Sequence, residues 1–556
     1  MSSFRGSSSL SERRRDEKRQ TRTKRLMMVG ATVSVMLIHA VVGVAAVQYK
    51  SNQSAESSLS GSGSASPAQF PTTSAIQAIC TQTNYESTCE STLTKHVNES
   101  CAPKDLVRAA VLAVVDGAGE AFNISDSIQS DDPKEKGAIA DCKELHQYAL
   151  YDLEKTLGII DAHHLDQLPN KVHELKNWLS GVIAYQQTCI DGFPEGELKS
   201  KMQAAMDSAM DITSNALAIS GKISSFLSLI QATGFSRRLL QAEPTEPGRY
   251  VDGNPSWVSH GDRRLLQTPA THQFTPNVTV AKDGSGNFTT ISEAVAQVPR
   301  KSDQRYTVVR QLAISWSVLG CLVGAVGDGF MAVSMGFENT AGPAKGQAVA
   351  LRVQADRSIF LNCKIQAYQD TLYAHSHRQF YRDCLISGTI DFIFGDAAAV
   401  FQNCILTVRR PQPQHGTAVF AQSRVRVEES TGFVSQNCSI VAVPALTNAI
   451  PKVRCALGRP WNAFSTTVIM ESYIGGFIDP AGYIPMNGDI GIKTSSYFEF
   501  NNRGLGADTS KRVKWPGVKT ISPVQAKAYT VEEFIHGREW LLRSYAVIPV
   551  NFGFYG

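Results

Sequence analysis

The chain has no sustained excess of either charge. Its formal net charge is +4 over 556 residues, and the first 25 residues alone hold nine Lys or Arg against three acids. What remains is slightly acidic, so the folded part lacks the basic footprint that nucleic-acid binding requires. An even cysteine count is also missing. Eleven cysteines leave at least one unpaired within a monomer, although their number fits an oxidising compartment. At 19% charged and 43% hydrophobic the composition is globular, and the length exceeds one ordinary domain.

One long apolar stretch stands out. Residues 26–47 follow Lys24-Arg25 and are long enough to span a bilayer. Basic residues before it and Ser-rich sequence after it put the 1–25 tail in the cytoplasm and the remainder across the membrane. Two readings stay open: a cleaved signal sequence, which the small residues Val44-Ala45-Ala46 permit, and a signal anchor, which the length favours. Sequons at Asn98, Asn123, Asn277 and Asn287 agree with secretion.

The linker at 48–75 is Ser, Gly, Ala and Pro rich. Residues 76–230 carry apolar positions at helical spacing over roughly 105–122, 134–160, 171–190 and 198–229, which predicts an all-α four-helix antiparallel bundle. Cys80 and Cys89 are placed to clip a small hairpin, and Cys142 and Cys189 to tie two helices; Cys101 is left over. A second linker, 231–270, contains Arg237-Arg238-Leu239-Leu240 and Arg263-Arg264-Leu265-Leu266. Two copies of one basic tetrapeptide in a Pro, Gly and Ser setting read as protease sites.

From 271 to 556 the texture is β, with short Val, Ile, Phe and Thr runs broken by Gly, Asn and Asp. Phe337-Glu338-Asn339-Thr340, Phe360-Leu361-Asn362-Cys363, Tyr381-Arg382-Asp383-Cys384 and Phe401-Gln402-Asn403-Cys404 repeat at separations of 23, 21 and 20 residues. That period predicts a β-solenoid whose equivalent positions stack. Seven residues after Thr340, Cys363 and Cys384 stand Gln347, Asp370 and Asp391, which are expected to form a ladder at about the strand spacing, ~4.8 Å. Cys384 and Cys404 are expected to pair across one coil, and His375 and His377 are read as surface residues.

Two carboxyls that close cannot both ionise cheaply. One stays protonated beside an anion, which suits a general acid next to a nucleophile. Gln347 and Gln369 offer amide donors to an oxyanion. Arg459 adds a fixed cation, and Trp461 a flat face for a sugar ring. Against this stand turn-capping Asp residues without chemistry and a calcium ladder, for which two carboxylates are few.

At these residues a resemblance becomes specific. Gly336-Phe337-Glu338-Asn339-Thr340-Ala341-Gly342-Pro343, Tyr368-Gln369-Asp370-Thr371-Leu372-Tyr373, Asp391-Phe392-Ile393-Phe394-Gly395 and Leu457-Gly458-Arg459-Pro460-Trp461 resemble the motifs of plant pectin methylesterases. The bundle, with its four cysteines and Thr188-Cys189-Ile190-Asp191-Gly192-Phe193, resembles the inhibitor-like pro-region of that family. The resemblance implies a right-handed parallel β-helix that hydrolyses galacturonate methyl esters in pectin, with no metal or organic cofactor. It makes Asp391 the nucleophile, Asp370 the proton donor and acceptor, and Gln369 a transition-state stabiliser beside Gln347. Arg459 and Trp461 then contact substrate. It implies export to the cell wall, with a membrane-associated precursor. It also implies retention by the pro-region until a processing protease cuts, and pectin methylesterase inhibitor as a further partner.

Three departures accompany it. Arg310 to Val326 replaces a Gly-x-Tyr-x-Glu motif and roughly two coils, including a substrate-contacting Thr; Met486 stands where Trp is usual; and residues 541–556 replace a Leu-Pro ending. They keep an alternative open, an impaired homologue whose bundle binds other pectin methylesterases. A lyase or glycosidase would need a third clustered Asp or a basic cluster, and neither is present.

Overall fold

Helical periodicity and β texture give two architectures in the computed structural model. It describes residues 70–98, 100–225, 323–544 and 548–555, with short pieces at 250–251, 254–255, 278–280, 287–288, 293 and 308–310. The basic tail, the 26–47 segment, Arg237, Arg238, Arg263, Arg264 and residues 311–322 lie outside the described residues. No described helix is long and apolar enough to cross a membrane.

Six helices form the first architecture: α1 Thr72–Cys80, α2 Glu86–Leu93, α3 Pro103–Ser127, α4 Pro133–Ala162, α5 Val172–Gly192 and α6 Glu197–Gly221. Helix starts follow from local chemistry. Asp132 caps α4 by accepting from Lys134 N at 2.7 Å and Glu135 N at 3.2 Å, and Pro133 occupies the first position, where no N–H is needed. The long helices α3 to α6 pack as the expected bundle around Leu145, Leu153, Leu179, Ile183, Met206 and Met210, all buried. Disulfides Cys80–Cys89 and Cys142–Cys189 form as expected; the second ties α4 to α5 with Cα atoms 4.8 Å apart. Helices α1 and α2 were not legible from sequence, because nine and eight residues hold too few turns for a periodic signal.

The second architecture is a parallel β-helix of three sheets. Strands from Val323–Ala325 to Cys455–Gly458 form a six-stranded sheet. A ten-stranded sheet runs from Val278–Val280 to Val518–Thr520, and a third sheet of six strands runs from Gly336–Glu338 to Tyr473–Ile474. From Val323 to Ile474 each coil contributes one strand to each sheet, and the strand pairs are parallel and in register. Stacking recurs inside: Phe360, Tyr381 and Phe401 lie face to face at 4.9 and 4.7 Å. Corners between strands need left-handed backbone, and Asn or Asp supplies it at Asn362, Asp383, Asn403 and Asn437, with φ of 51–57°. Strand Val308–Arg310 pairs directly with Met331–Val333, so one sheet extends further than the other two among the described residues.

The C-terminal segment covers the outer face of the long sheet. Further helices among the described residues are α7 Pro444–Thr447, α8 Pro523–Lys527, α9 Val531–Ile535 and α10 Gly537–Ser544. Val531, Ile535, Trp540 and Leu541 pack on Ile359, Phe380, Val400, Val434 and Val468. The departing end is docked too. Gln402 and Gln436 donate to Asn551 O and Gly553 O, each at 2.7 Å, and Tyr555 N donates to Glu471 at 2.8 Å.

The expected Cys384–Cys404 disulfide is corrected. Both are free, buried thiols in a column with Cys363 and Cys438. Register pairs Arg382 with Gln402 and so sets Cys384 over Cys404. Their Cβ vectors then run parallel at about the strand spacing of ~4.8 Å, whereas a disulfide needs Cβ atoms converging to roughly 3.8 Å. The thiols bond instead to backbone carbonyls, Cys384 to Phe360 O at 3.3 Å and Cys404 to Tyr381 O at 3.5 Å. Peptide mapping under non-reducing conditions should recover the Cys80–Cys89 and Cys142–Cys189 links, with Cys384 and Cys404 both alkylated only after denaturation; a Cys384–Cys404 linked peptide would refute the register.

Candidate active site and the helices that face it

Asp370 and Asp391 occupy equivalent corners of adjacent coils. Asp370 N donates to Ile390 O at 3.0 Å and Leu372 N to Phe392 O at 2.9 Å, so one carboxyl stands directly over the other. Both corners are left-handed, with φ of 60° and 50°, a conformation Asp tolerates better than bulkier residues. The pair is 8% and 5% exposed. Arg459 forks onto Asp391, with Nε to Oδ1 at 2.8 Å and Nη2 to Oδ2 at 2.5 Å. Burial, and then the charge of Asp391, push the Asp370 carboxyl up to about 8. Burial raises Asp391 as well, but the Arg459 hydrogen bonds and charge oppose it. A bidentate guanidinium favours the anion, so the proton of the pair resides on Asp370.

The ladder departs from its expected register at one rung. Gln347 bridges to Gln369, not to Asp370. The first repeat is also displaced from its expected alignment: Gly336 pairs with Lys364 and Ala332 with Phe360, so Met335, not Thr340, is the counterpart of Cys363. Nine residues lead from Glu338 to Gln347 where three lead from Gln366 to Gln369, and the extra six include the 3₁₀ turn at Pro343–Lys345. The two amides therefore stand one above the other beside Asp370, with Gln369 half-buried and Gln347 exposed.

Beside the carboxyls runs an aromatic strip. Tyr373 and Phe394 stand three residues after Asp370 and Asp391, and this equal offset stacks them at 4.5 Å and 7°. Trp461 tilts over Phe394 at 5.8 Å, and His375 stacks on Tyr373 at 4.6 Å. Trp461 is held from below: its backbone N–H donates to Gln422 O at 3.2 Å, while the Gln422 side chain donates to buried Asp396 at 2.9 Å. Tyr373 and Phe394 carried no assigned role in the sequence reading, although the repeat offset contains the signal.

His375 and His377, expected at the surface, are 1% and 4% exposed. Helices α4 and α5 bury them. Arg352 donates to His375 Nδ1 at 3.2 Å, so the neutral ring carries its proton on Nε2 and donates to Thr188 Oγ1 at 2.8 Å. Thr188 also meets the Tyr373 hydroxyl at 3.1 Å. His377 faces two acceptors, Gln354 O at 2.7 Å and Asp152 at 2.9 Å, so both its nitrogens are protonated. Burial opposes that charge, yet Asp152, Asp356 and Asp328 outweigh it and lift the imidazole to about 9. Asp356 is clamped by Arg378 and accepts from Asn177 of α5 at 3.2 Å. The bundle thus sits on the aromatic strip, and Thr188 and Asp191 line a small cavity with Tyr373, His375 and Trp461.

Comparison with known proteins agrees with these features. The family model described as pectinesterase matches residues 317–538, and that of the plant invertase/pectin methylesterase inhibitor matches 74–219. The chain belongs to the pectinesterase family. An Arabidopsis thaliana relative, probable pectinesterase/pectinesterase inhibitor 13, is 40% identical over 519 residues, which is 86% of this chain and 82% of the relative. A Ficus pumila var. awkeotsang pectinesterase/pectinesterase inhibitor is 37% identical over 515 residues, covering 85% of this chain and 91% of the relative. The solved pectin methylesterase from carrot is 40% identical, with a TM-score of 0.48 over 51% of this chain and 99% of that one.

Gly181 allows α5 to approach the solenoid. A Cβ there would lie 2.4 Å from Asp152 Oδ2 and 2.6 Å from His377 Nε2. Gly181→Ala should weaken docking by about 1–3 kcal/mol, seen as faster amide exchange in α5 with the β-helix unaffected. Protonation of His377 favours docking, because Asp152, the foremost charge raising it, comes from the bundle. The docked imidazole titrates at about 9, so this contribution is lost as pH climbs through about 9. Exchange in α5 that stays flat between pH 6 and 10, once corrected for intrinsic rates, would contradict the buried imidazolium.

Proposed function

We propose that the assembled carboxyl pair hydrolyses the C6 methyl ester of galacturonate in pectin by covalent catalysis. Membership of the pectinesterase family makes the chain a carboxylic ester hydrolase; the residue roles are inferred from the geometry. Asp391, held as an anion by Arg459, attacks the ester carbonyl. The oxygen of that carbonyl takes the negative charge and is met by amide N–H groups of Gln369 and Gln347. Asp370 gives its proton to the departing methoxide, which leaves as methanol. It then takes a proton from the water that cleaves the acyl-enzyme and frees the galacturonate carboxylate. Trp461, with Phe394 and Tyr373, provides the apolar platform for a neighbouring sugar ring.

The observation that carries this reading is the vertical pair itself: two buried carboxyls in register, one forked by Arg459 and the other neutral. The inhibitor-only alternative is the weaker one, because these parts are assembled. The bundle acts within the same chain, and Thr188 and Asp191 meet the strip that a polymer would use. Processing at the Arg-Arg-Leu-Leu sites, export through residues 26–47, transient membrane association and glycosylation complete the proposal; Asn123 is exposed on α3 and Asn98 is exposed beyond α2.

Secreted, processed protein should release methanol from highly methylated pectin. Asp391→Asn should lower kcat by at least about 1,000-fold, as loss of a nucleophile does, with the melting transition retained. Folded wild type that releases no methanol would remove the enzyme reading, and an active Asp391→Asn variant would remove this assignment of the nucleophile.

A further inference from the structure

One side-chain cluster is used by neither the active site nor the disulfides. His173 lies in the first turn of α5, His536 is the left-handed residue closing α9 with φ of 49°, and Glu539 is in the first turn of α10. One residue comes from the bundle and two from the C-terminal segment, 366 positions away in the case of Glu539. His173 Nε2 lies 3.1 Å from Glu539 Oε2, and the imidazoles stack at 3.9 Å with planes 27° apart. One ligand atom of each residue lies within 4.8 Å of the other two.

This donor set is selective. Two imidazoles and a carboxylate form a three-ligand zinc set that leaves the fourth tetrahedral position for water or a further carboxylate. Glu174 is the available fourth group, 3.8 Å from His173 Nε2. Imidazole nitrogen disfavours Ca²⁺ and Mg²⁺, which take oxygen ligands. Stacked rings this close resist joint protonation, and the neutral imidazole is the form that binds metal. Glu174, Glu533 and Glu539 favour a cation here, while Arg378 and Lys171 oppose it. Glu539 is half-exposed at its side chain, which gives an ion a path from solvent.

We propose that His173, His536 and Glu539 bind a zinc-class transition-metal ion that joins the inhibitor-like bundle to the C-terminal helices. Because the ligands come from both sides of the contact, the ion binds only the docked form. Metal therefore strengthens docking by linkage, and chelation loosens it. The site is separate from the carboxyl pair, so it regulates access to the esterase and takes no part in its chemistry.

The test uses the full chain, stripped of metal and titrated with ZnCl₂ against a competing chromophoric chelator. One ion should bind per chain. His173→Gln and His536→Asn should each weaken binding at least about 10-fold, Glu539→Gln less, and His415→Ala, at an exposed imidazole outside the cluster, not at all. Asn is chosen at 536 because it tolerates the left-handed backbone. Zinc should also slow amide exchange in α5 of the wild type but not of His536→Asn. Absence of saturable binding, unchanged affinity in both histidine variants, or an equal loss in His415→Ala would each overturn the site.

Discussion

In-register stacking of parallel coils is the constraint on which the rest of this protein depends. A coil repeated with strands directly above one another places each side chain over its counterpart. Inside, that produces the Phe360–Tyr381–Phe401 stack and the thiol column. At one corner it produces Asp370 over Asp391, and three residues on, Tyr373 over Phe394. The same register thus builds the core, the carboxyl pair and the platform beside it. Its electrostatic consequence is unavoidable: two carboxyls a strand apart and nearly buried cannot share the site as two anions, so Arg459 settles which one holds the charge.

The second organising element is helix α5. A glycine in its middle brings the helix against the solenoid, and Asp152 of α4 meets the His377 imidazolium beneath it. Such a buried pair is costly to break from one side, because the remaining charge is left unpaired. Farther along α5, Thr188 touches Tyr373 and His375. One helix therefore connects a charged anchor, the aromatic strip and, at its start, the histidine pair at His173.

Much of this was legible in the sequence because it is periodic. The four long helices follow from 3.6-residue spacing, the solenoid from the 21- and 20-residue steps between Cys363, Cys384 and Cys404, and the Asp370–Asp391 juxtaposition from a constant offset after the repeat cysteine. What escaped was non-local or aperiodic. His375 and His377 look like surface residues until helices some 190 to 225 positions away cover them. Gln347 misses its expected rung because its coil aligns on Met335, not on Thr340, and holds six extra residues around a 3₁₀ turn. The Cys384–Cys404 pairing failed on the direction of the Cβ atoms, which a count of residues does not carry. The last segment departs from the family pattern in sequence yet still docks on the long sheet, through stacked Gln402 and Gln436.

The central claim is that register and Arg459 leave a single proton on the carboxyl pair, held by Asp370. The most direct measurement is a ¹³C NMR titration of labelled aspartate carboxyls in wild type, Asp370→Asn and Asp391→Asn. A wild-type carboxyl titrating near 8, lost in Asp370→Asn and shifted downward in Asp391→Asn, is the predicted result. Two carboxyls that both titrate near the ordinary aspartate value of about 3.9 would contradict it.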